Sequence, residues 1–340
     1  MDKADNFADN KNKMKISIII VNYKTKELAK DAIQSVFDKT EGVEYEIIVV
    51  DNDSRDGSAE YLRNKFGNKI ELIEAGANHG FGAGNNIGIG RAKGKYIFLL
   101  NPDAKLLNNA IKMFYDYMEL NADVGACCGN LYDGNMNPAV SCLKLSPSVH
   151  VQIYLIYLFL IYNLMGVKFL KFDKKLSGYY FNYGDKISNI GYVSGADMFL
   201  RKSVLDKTGL FDENIFMYAE DTDLSCRIKK AGFKLKSIPQ ARIMHLESQS
   251  IKNSQEKFRK LINGEYRFYF KTYGKSTVLI YLHYQMLDFF RMIIRLMLPR
   301  FILKKYFLGS DNFAFYKEKM AINKIEYCNI KKIYLNLGVK

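Results

Sequence analysis

The chain contains no tryptophan, and its 340 residues include only 5 prolines, 4 histidines and 5 cysteines. So little proline excludes a collagen-like chain, and 48% hydrophobic residues exclude a disordered one. The cysteines Cys127, Cys128, Cys142, Cys226 and Cys328 are odd in number and form no C-x-x-C pair, which argues against a disulfide framework. No basic-then-apolar signal sequence opens the chain, so a reduced, cytosol-facing protein is expected. The apolar, aromatic run from Val151 to Met165 is shorter than the roughly 20 residues that span a bilayer. It reads as a buried or interfacial helix. At roughly 100 to 200 residues per domain, the length allows one large domain or two smaller ones.

What the chain has in excess is positive charge, net +14, and that charge is unevenly spread. Residues 251–340 hold 18 Lys/Arg against 6 Asp/Glu, so a near-neutral body carries a basic C-terminal quarter. On a helical projection of Thr277 to Leu298, Leu279, Leu282, Met286, Phe289, Phe290, Ile293 and Leu296 share one face. Tyr284, Asp288, Arg291 and Arg295 share the other, and Arg300, Lys304 and Lys305 follow. A basic, aromatic, amphipathic segment suits an anionic membrane surface; the alternative is a helix packed on the body with a solvated basic face.

Residues 1–13 are polar and aperiodic and read as a disordered lead-in. Strand-like runs at Ile16 to Val21, Tyr45 to Val50, Ile70 to Ile73 and Tyr96 to Leu100 then alternate with helical segments. The helices are expected at Lys26 to Lys39, after Asp56 as N-cap, at Asn85 to Ala92 behind a glycine-rich turn, and near Leu106 to Leu120. A strand near Val124 to Gly129 follows. Later come a strand at Tyr192 to Arg201, a helix at Glu220 to Ala231, and strands at Phe233 to Ile238 and Ala241 to Leu246. Alternation of this kind predicts an α/β protein whose ligands bind at the carboxyl ends of the strands.

Four polar turns follow the first four strands: Asn22-Tyr23, Asp51-Asn52-Asp53-Ser54, Asn78 to Asn85, and Asn101-Pro102-Asp103. An edge rich in Asn and Asp can bond a base and ribose, and one acid at a buried strand end can reach a divalent cation on a diphosphate. Any one of these turns alone is also ordinary turn chemistry. The glycines come after the third strand, not the first, which disfavours a dinucleotide fingerprint. A second cluster, Glu220, Asp221 and Asp223, opens a predicted helix, and His245 ends a short strand as a candidate metal ligand beside Asp103.

The runs SIIIVNYKTKELAKDAIQSV, VVDNDSRDGS, ANHGFGAGNNIG, YIFLLNPDA, VSGADMFLRKSVLDKTGLFDENIFMYAEDTDLSCRIKKAGF and ARIMHLES resemble a family 2 glycosyltransferase, in its rhamnosyltransferase-like branch. The resemblance spans residues 15 to 250 in order. It implies a GT-A fold: a mixed, mainly parallel sheet with helices on both faces, over residues 14–250, and a helical extension over 251–340. The nucleotide-sugar half would be 14–130 and the acceptor half 131–250. Val21, Asn22, Asp51, Asn52, Asn85 and Asn101 would meet the nucleotide sugar. Asp103, with His245, would hold Mg²⁺ or Mn²⁺; Asn101 stands where the family motif has its first Asp. Asp221 would be the general base of an inverting transfer, with Glu220 and Asp223 as supporting acids.

The expected donor is dTDP-rhamnose, with a UDP-hexose as alternative. The expected acceptor is a lipid-linked or polysaccharide hydroxyl in cell-surface glycan synthesis, such as O-antigen. The expected location is cytoplasmic, peripheral on the inner membrane face. A sugar-phosphate nucleotidylyltransferase would need a basic, glycine-rich loop after the first strand, where Val21-Asn22-Tyr23-Lys24 stands. Nucleic acid is not expected as a partner, because the basic residues lie among aliphatic stretches and the strand-end carboxylates repel phosphate.

Overall fold

The computed structural model describes residues 14–145, 150, 151, 153, 180–246, 254–297 and 313–336. The lead-in over 1–13 and nearly all of the Val151 to Met165 run lie outside the described residues. The chain opens with β1 (Ile16–Asn22), α1 (Lys26–Lys39), β2 (Tyr45–Asp51), α2 (Ser58–Phe66), β3 (Glu71–Glu74), α3 (Gly80–Arg91) and β4 (Tyr96–Leu100). It continues through β5 (Ala104–Leu106), α4 (Ala110–Leu120), β6 (Val124–Tyr132), β7 (Cys142–Leu143), β8 (Ser188–Asn189), β9 (Tyr192–Val193) and β10 (Asp197–Arg201). Then follow α5 (Lys202–Thr208), α6 (Glu220–Lys230), β11 (Lys234–His245), α7 (Ser254–Tyr273), α8 (Thr277–Met297) and α9 (Phe313–Asn336).

The main sheet has the order β3-β2-β1-β4-β10-β6-β11-β5, with β8 paired to β11. From β3 to β4 every pairing is parallel. Antiparallel β10 lies between β4 and β6, β11 runs parallel to β6, and β5 runs antiparallel to β11. The sheet is therefore mixed, and parallel mainly in its first half. Strand β1 is buried along its whole length: Ile16, Ile18 and Ile20 face one core, Ile19 and Val21 the other. Burial on both faces is why these strands read as continuous β-branched runs rather than as alternation. Because β1, β2, β4 and β11 point the same way and β10 the opposite way, the ends of the first four and the start of β10 meet at one edge.

Four expectations shift. Helix α3 begins at Gly80, not Asn85, so the glycine-rich stretch is the helix itself rather than a turn before it. A Cβ on Gly84 would lie 2.8 Å from Val21 Cγ1, so glycine here lets the helix rest directly on the strand ends. The expected helix start at Leu106 is instead β5, a strand too short to show periodicity. The run Tyr192 to Arg201 breaks into β9 and β10 at Ser194-Gly195-Ala196. Finally, the two strands expected near 233–246 are one strand, β11, whose register shifts between Ser237 and Arg242, around Pro239. Helix α5 was not foreseen, and Asp56 stands one residue before the N-cap, Gly57, accepting from the Ser58 amide at 3.0 Å.

Helices α7, α8 and α9 form a cluster of their own around Tyr266, Phe270, Tyr327 and Ile330. A second cluster of Ile215, Phe268, Tyr269 and Ile280 joins them to the body. Tyr284 and Asp288, read from sequence as the polar side of α8, pack inward: Asp288 is buried and the Tyr284 hydroxyl donates to Glu265 at 2.9 Å. The apolar side faces out, with Leu279, Leu282, Met286, Phe289 and Phe290 exposed. Among the described residues no helix is long and apolar enough to cross a membrane.

Candidate active site

At the ends of β1 and β2 the polar groups bond one another. Asn22 Nδ2 donates to Asp51 Oδ1 at 2.8 Å and Ser54 Oγ at 3.1 Å, while Thr25 Oγ1 donates to Asn22 Oδ1 at 2.9 Å. The Ser54 amide donates to Asp51 Oδ2 at 3.1 Å. Asn52 Nδ2 donates to Asn78 Oδ1 and the Gly80 carbonyl, both at 3.0 Å, and its Oδ1 accepts from the His79 amide at 3.1 Å. Asn85 Nδ2 donates to the Phe81 carbonyl inside α3. Val21, Asn22, Asp51, Asn52 and Asn85 are thus gathered and buried, and their bonds knit three loops into one wall. Beside it opens a cleft of about 260 Å³ lined by Asp51, Asp53, Arg55, Glu60, Arg63 and Glu74. Asp53 and Arg55 hold left-handed backbone there, at φ 64° and 51°. Asx-rich VVDNDSRDGS is the sequence signal for this turn, but nothing in it marks Glu60, Arg63 or Glu74.

Next along the edge, β4 ends and Asn101-Pro102-Asp103 turns into β5. The pairing of β5 with β11 sets Ala104 opposite His245, and the Leu246 amide donates to the Asp103 carbonyl at 3.0 Å. This return brings His245 Nε2 to 3.3 Å from Asp103 Oδ1 and 3.3 Å from Asn101 Nδ2. Asn101 Oδ1 and His245 Nδ1 are buried without a hydrogen-bond partner. A carboxylate, an imidazole and an amide oxygen with no internal partner make a donor set that fits a divalent cation also bound by diphosphate oxygens. Among the described residues there is no cluster of three or more His, Cys, Asp or Glu that would hold a metal by protein ligands alone.

The turn Ser194-Gly195-Ala196 links this corner to the acids of α6. The Asn101 amide donates to the Ala196 carbonyl at 3.1 Å, and the neighbouring Gly195 amide donates to Asp221 Oδ2 at 2.9 Å. Tyr192 Oη donates to the same oxygen at 2.8 Å, and the Thr222 amide donates to Asp221 Oδ1 at 2.7 Å. Burial raises the Asp221 carboxyl, while these donors hold it down. Burial, and then the charge of Asp221, push Glu220 well above the usual carboxylate range, and its Oε2 has no partner. Both adjacent acids are thereby raised, but they differ in their surroundings: Glu220 Oε2 has no partner, whereas both Asp221 oxygens accept hydrogen bonds. Asp223 is elsewhere. Its carboxylate accepts from Arg227 Nε at 2.8 Å and pairs with Lys271 Nζ at 3.0 Å, so it braces α6 against α7. Tyr192 and Thr222 are the residues that sequence reasoning missed. Their only signal was position, one at the start of the broken strand and one beside the acid.

The sequence profile described as glycosyl transferase family 2 matches residues 17–209. The chain belongs to this family. Within it, the likeness is to the rhamnosyltransferase-like branch: "Rhamnosyltransferase WbbL" of Escherichia coli K12 is 24% identical over 237 residues, covering 68% of this chain and 83% of that one. The "Low-salt glycan biosynthesis hexosyltransferase Agl10" of Haloferax volcanii is 24% identical over 225 residues. That alignment covers 65% of this chain and 63% of the relative's own length, so the chain spans less than two thirds of that relative. Among solved structures, GalNAc-T7, crystallised with UDP, GalNAc and Mn²⁺, superposes with a TM-score of 0.55 at 13% identity. It covers 93% of this chain and 58% of that one. At that identity the likeness shows the fold, and the fold is GT-A.

Proposed function

We propose that this glycosyltransferase is inverting and metal-dependent, moving rhamnose from dTDP-rhamnose to a hydroxyl of a lipid-linked saccharide in cell-surface glycan synthesis. The observation that carries the reading is the Gly195-Ala196 turn, which ties the Asp221 carboxylate on one side to Asn101, next to Asp103 and His245, on the other. A base and a leaving-group corner flanking one turn suit a single in-line displacement. Asp221 takes the acceptor proton as the acceptor oxygen forms its bond to the anomeric carbon, and the bond to the diphosphate oxygen breaks on the opposite face. The configuration inverts. Tyr192, whose hydroxyl is kept protonated by burial and by the neighbouring Asp221 charge, and the Gly195 amide orient the base. Asp103 and His245 would hold Mg²⁺ or Mn²⁺, which when bound supplies charge neutralisation to the departing diphosphate. The wall of Asn22, Asp51, Asn52 and Asn85 shapes the base and ribose end.

Rhamnose is favoured by the WbbL likeness, and a UDP-hexose donor is the second reading, favoured by the hexosyltransferase relative. The outward apolar stripe of α8, in a region with net charge +12, supports docking on the anionic inner face of the membrane. The deciding experiment is nucleoside diphosphate release and thermal shift with dTDP-, UDP- and GDP-sugars under Mn²⁺, Mg²⁺ or EDTA. Metal-dependent stabilisation by one nucleotide, lost in Asp103→Ala, names the donor class. Undiminished turnover in Asp221→Asn overturns the mechanism.

A further inference from the structure

We propose that α7, beyond the part of the chain matched by the family profile, belongs to the catalytic apparatus: Gly264 is a positioning residue that clamps the segment leading into Asp221. The proposal rests on Asp221 being the base.

The segment Phe216-Met217-Tyr218-Ala219 enters α6 through two consecutive non-glycine residues in left-handed backbone, Tyr218 at φ 67° and Ala219 at φ 70°. Such backbone persists only where its surroundings over-determine it. On one side stands the start of α3. The Phe81 amide donates to the Phe216 carbonyl at 3.0 Å, and a Cβ on Gly80 would lie 2.1 Å from that oxygen. On the other side stands α7. A Cβ on Gly264 would lie 2.1 Å from the Tyr218 carbonyl oxygen and 2.7 Å from that of Met217. Glycine is unfavourable within a helix, so its presence here marks the close approach of two backbones. Two turns further on, Lys271 Nζ reaches Asp212 Oδ2 at 2.7 Å and Asp223 Oδ1 at 3.0 Å, pinning residues before and after the segment. Ile215 packs with Phe268 and Tyr269 of α7 in the same interface. Held at these points, Ala219 caps α6, its carbonyl accepts from the Asp223 amide at 2.9 Å, and Asp221 meets the Gly195 amide and the Tyr192 hydroxyl. Movement of the clamp on the α7 side therefore moves the carboxylate against its donors, while the ends of β1 and β2, bonded to one another, stay in place.

The test uses the full chain with Gly264→Ala, which forces the two backbones apart, and Lys271→Met, which removes the charged brace without adding bulk at the crossing. Amide hydrogen exchange is measured together with nucleoside diphosphate release from dTDP-rhamnose and UDP-glucose. The expected result is exchange faster by about tenfold or more in residues 212–225, with β1, β2 and β4 unchanged. Turnover falls through kcat, with the donor KM unchanged. Wild-type exchange in residues 212–225 overturns the proposal, as does loosening spread evenly over the body, or full turnover despite a loosened segment. Should Gly264→Ala fail to fold, Lys271→Met decides by the same readings. Asp221→Asn, run in parallel, separates the two ideas: full turnover there removes the base, while the exchange pattern still judges the clamp.

Discussion

The two halves of the catalytic edge are built on opposite terms. At the ends of β1 and β2, Asn22, Asp51, Asn52 and Ser54 bond one another and the backbone. At the ends of β4 and β11 and the start of α6, Asn101 Oδ1, His245 Nδ1 and Glu220 Oε2 are buried without a partner. A network with its bonds satisfied is rigid and contributes to stability, whereas unsatisfied buried groups cost stability and recur where chemistry is done. The first half is a preformed wall; the second is the corner where the proposed chemistry falls. Substitutions should therefore separate into two kinds, one losing stability and one losing turnover.

The largest effect is expected from Asp221→Asn, which removes the carboxylate proposed as proton acceptor and keeps the shape. Turnover should fall on the order of 10²–10⁴-fold while the nucleotide thermal shift survives. Next, Asp103→Ala should abolish the difference in nucleotide thermal shift between Mn²⁺ and EDTA, with the melting temperature of the free protein nearly unchanged. If it unfolds the protein instead, the contrast between wall and corner is broken. Asp51→Ala should act the other way. It strips the acceptor from the Asn22 side chain and the Ser54 amide, and should cost about 1–3 kcal/mol in urea unfolding before any effect on nucleotide binding.

The smallest effect sharpens the contrast from outside the edge. Burial pushes Glu265 of α7 up from 4.5 to about 7, against the Tyr284 hydroxyl that lowers it. A carboxyl whose folded pKa is raised contributes stability that is full below its unfolded pKa and lost as pH rises through the folded one. The melting temperature should therefore fall between pH 5 and 8. Glu265→Gln should flatten that fall, and an unchanged slope would exclude Glu265 as its source.

Much of the body was legible because its signals are local. Helix α1 runs from Lys26 to Lys39 and β4 from Tyr96 to Leu100, as expected from periodicity and from the β-branched and aromatic run. The misread places share one cause: their partners are distant in the chain. The glycines of α3 answer to Val21 in β1, β5 is a strand only because β11 returns beside it, and the break at Ser194 to Ala196 exists to reach Asp221 and Asn101. Asp223 reads as a supporting acid beside Asp221 until Lys271 is seen to claim it.

The residue order by itself determined the strand runs, the polar turns that end them, the acid cluster and the basic C-terminal quarter, because hydrophobic period and turn chemistry act over a few residues. Only the tertiary structure decided that Asn101 and His245 each keep a buried atom without a partner, that Lys271 claims Asp223, and that α8 turns its apolar side outward. Each of these depends on contacts between segments far apart in sequence, and on the burial that follows from them. No local pattern encodes either one.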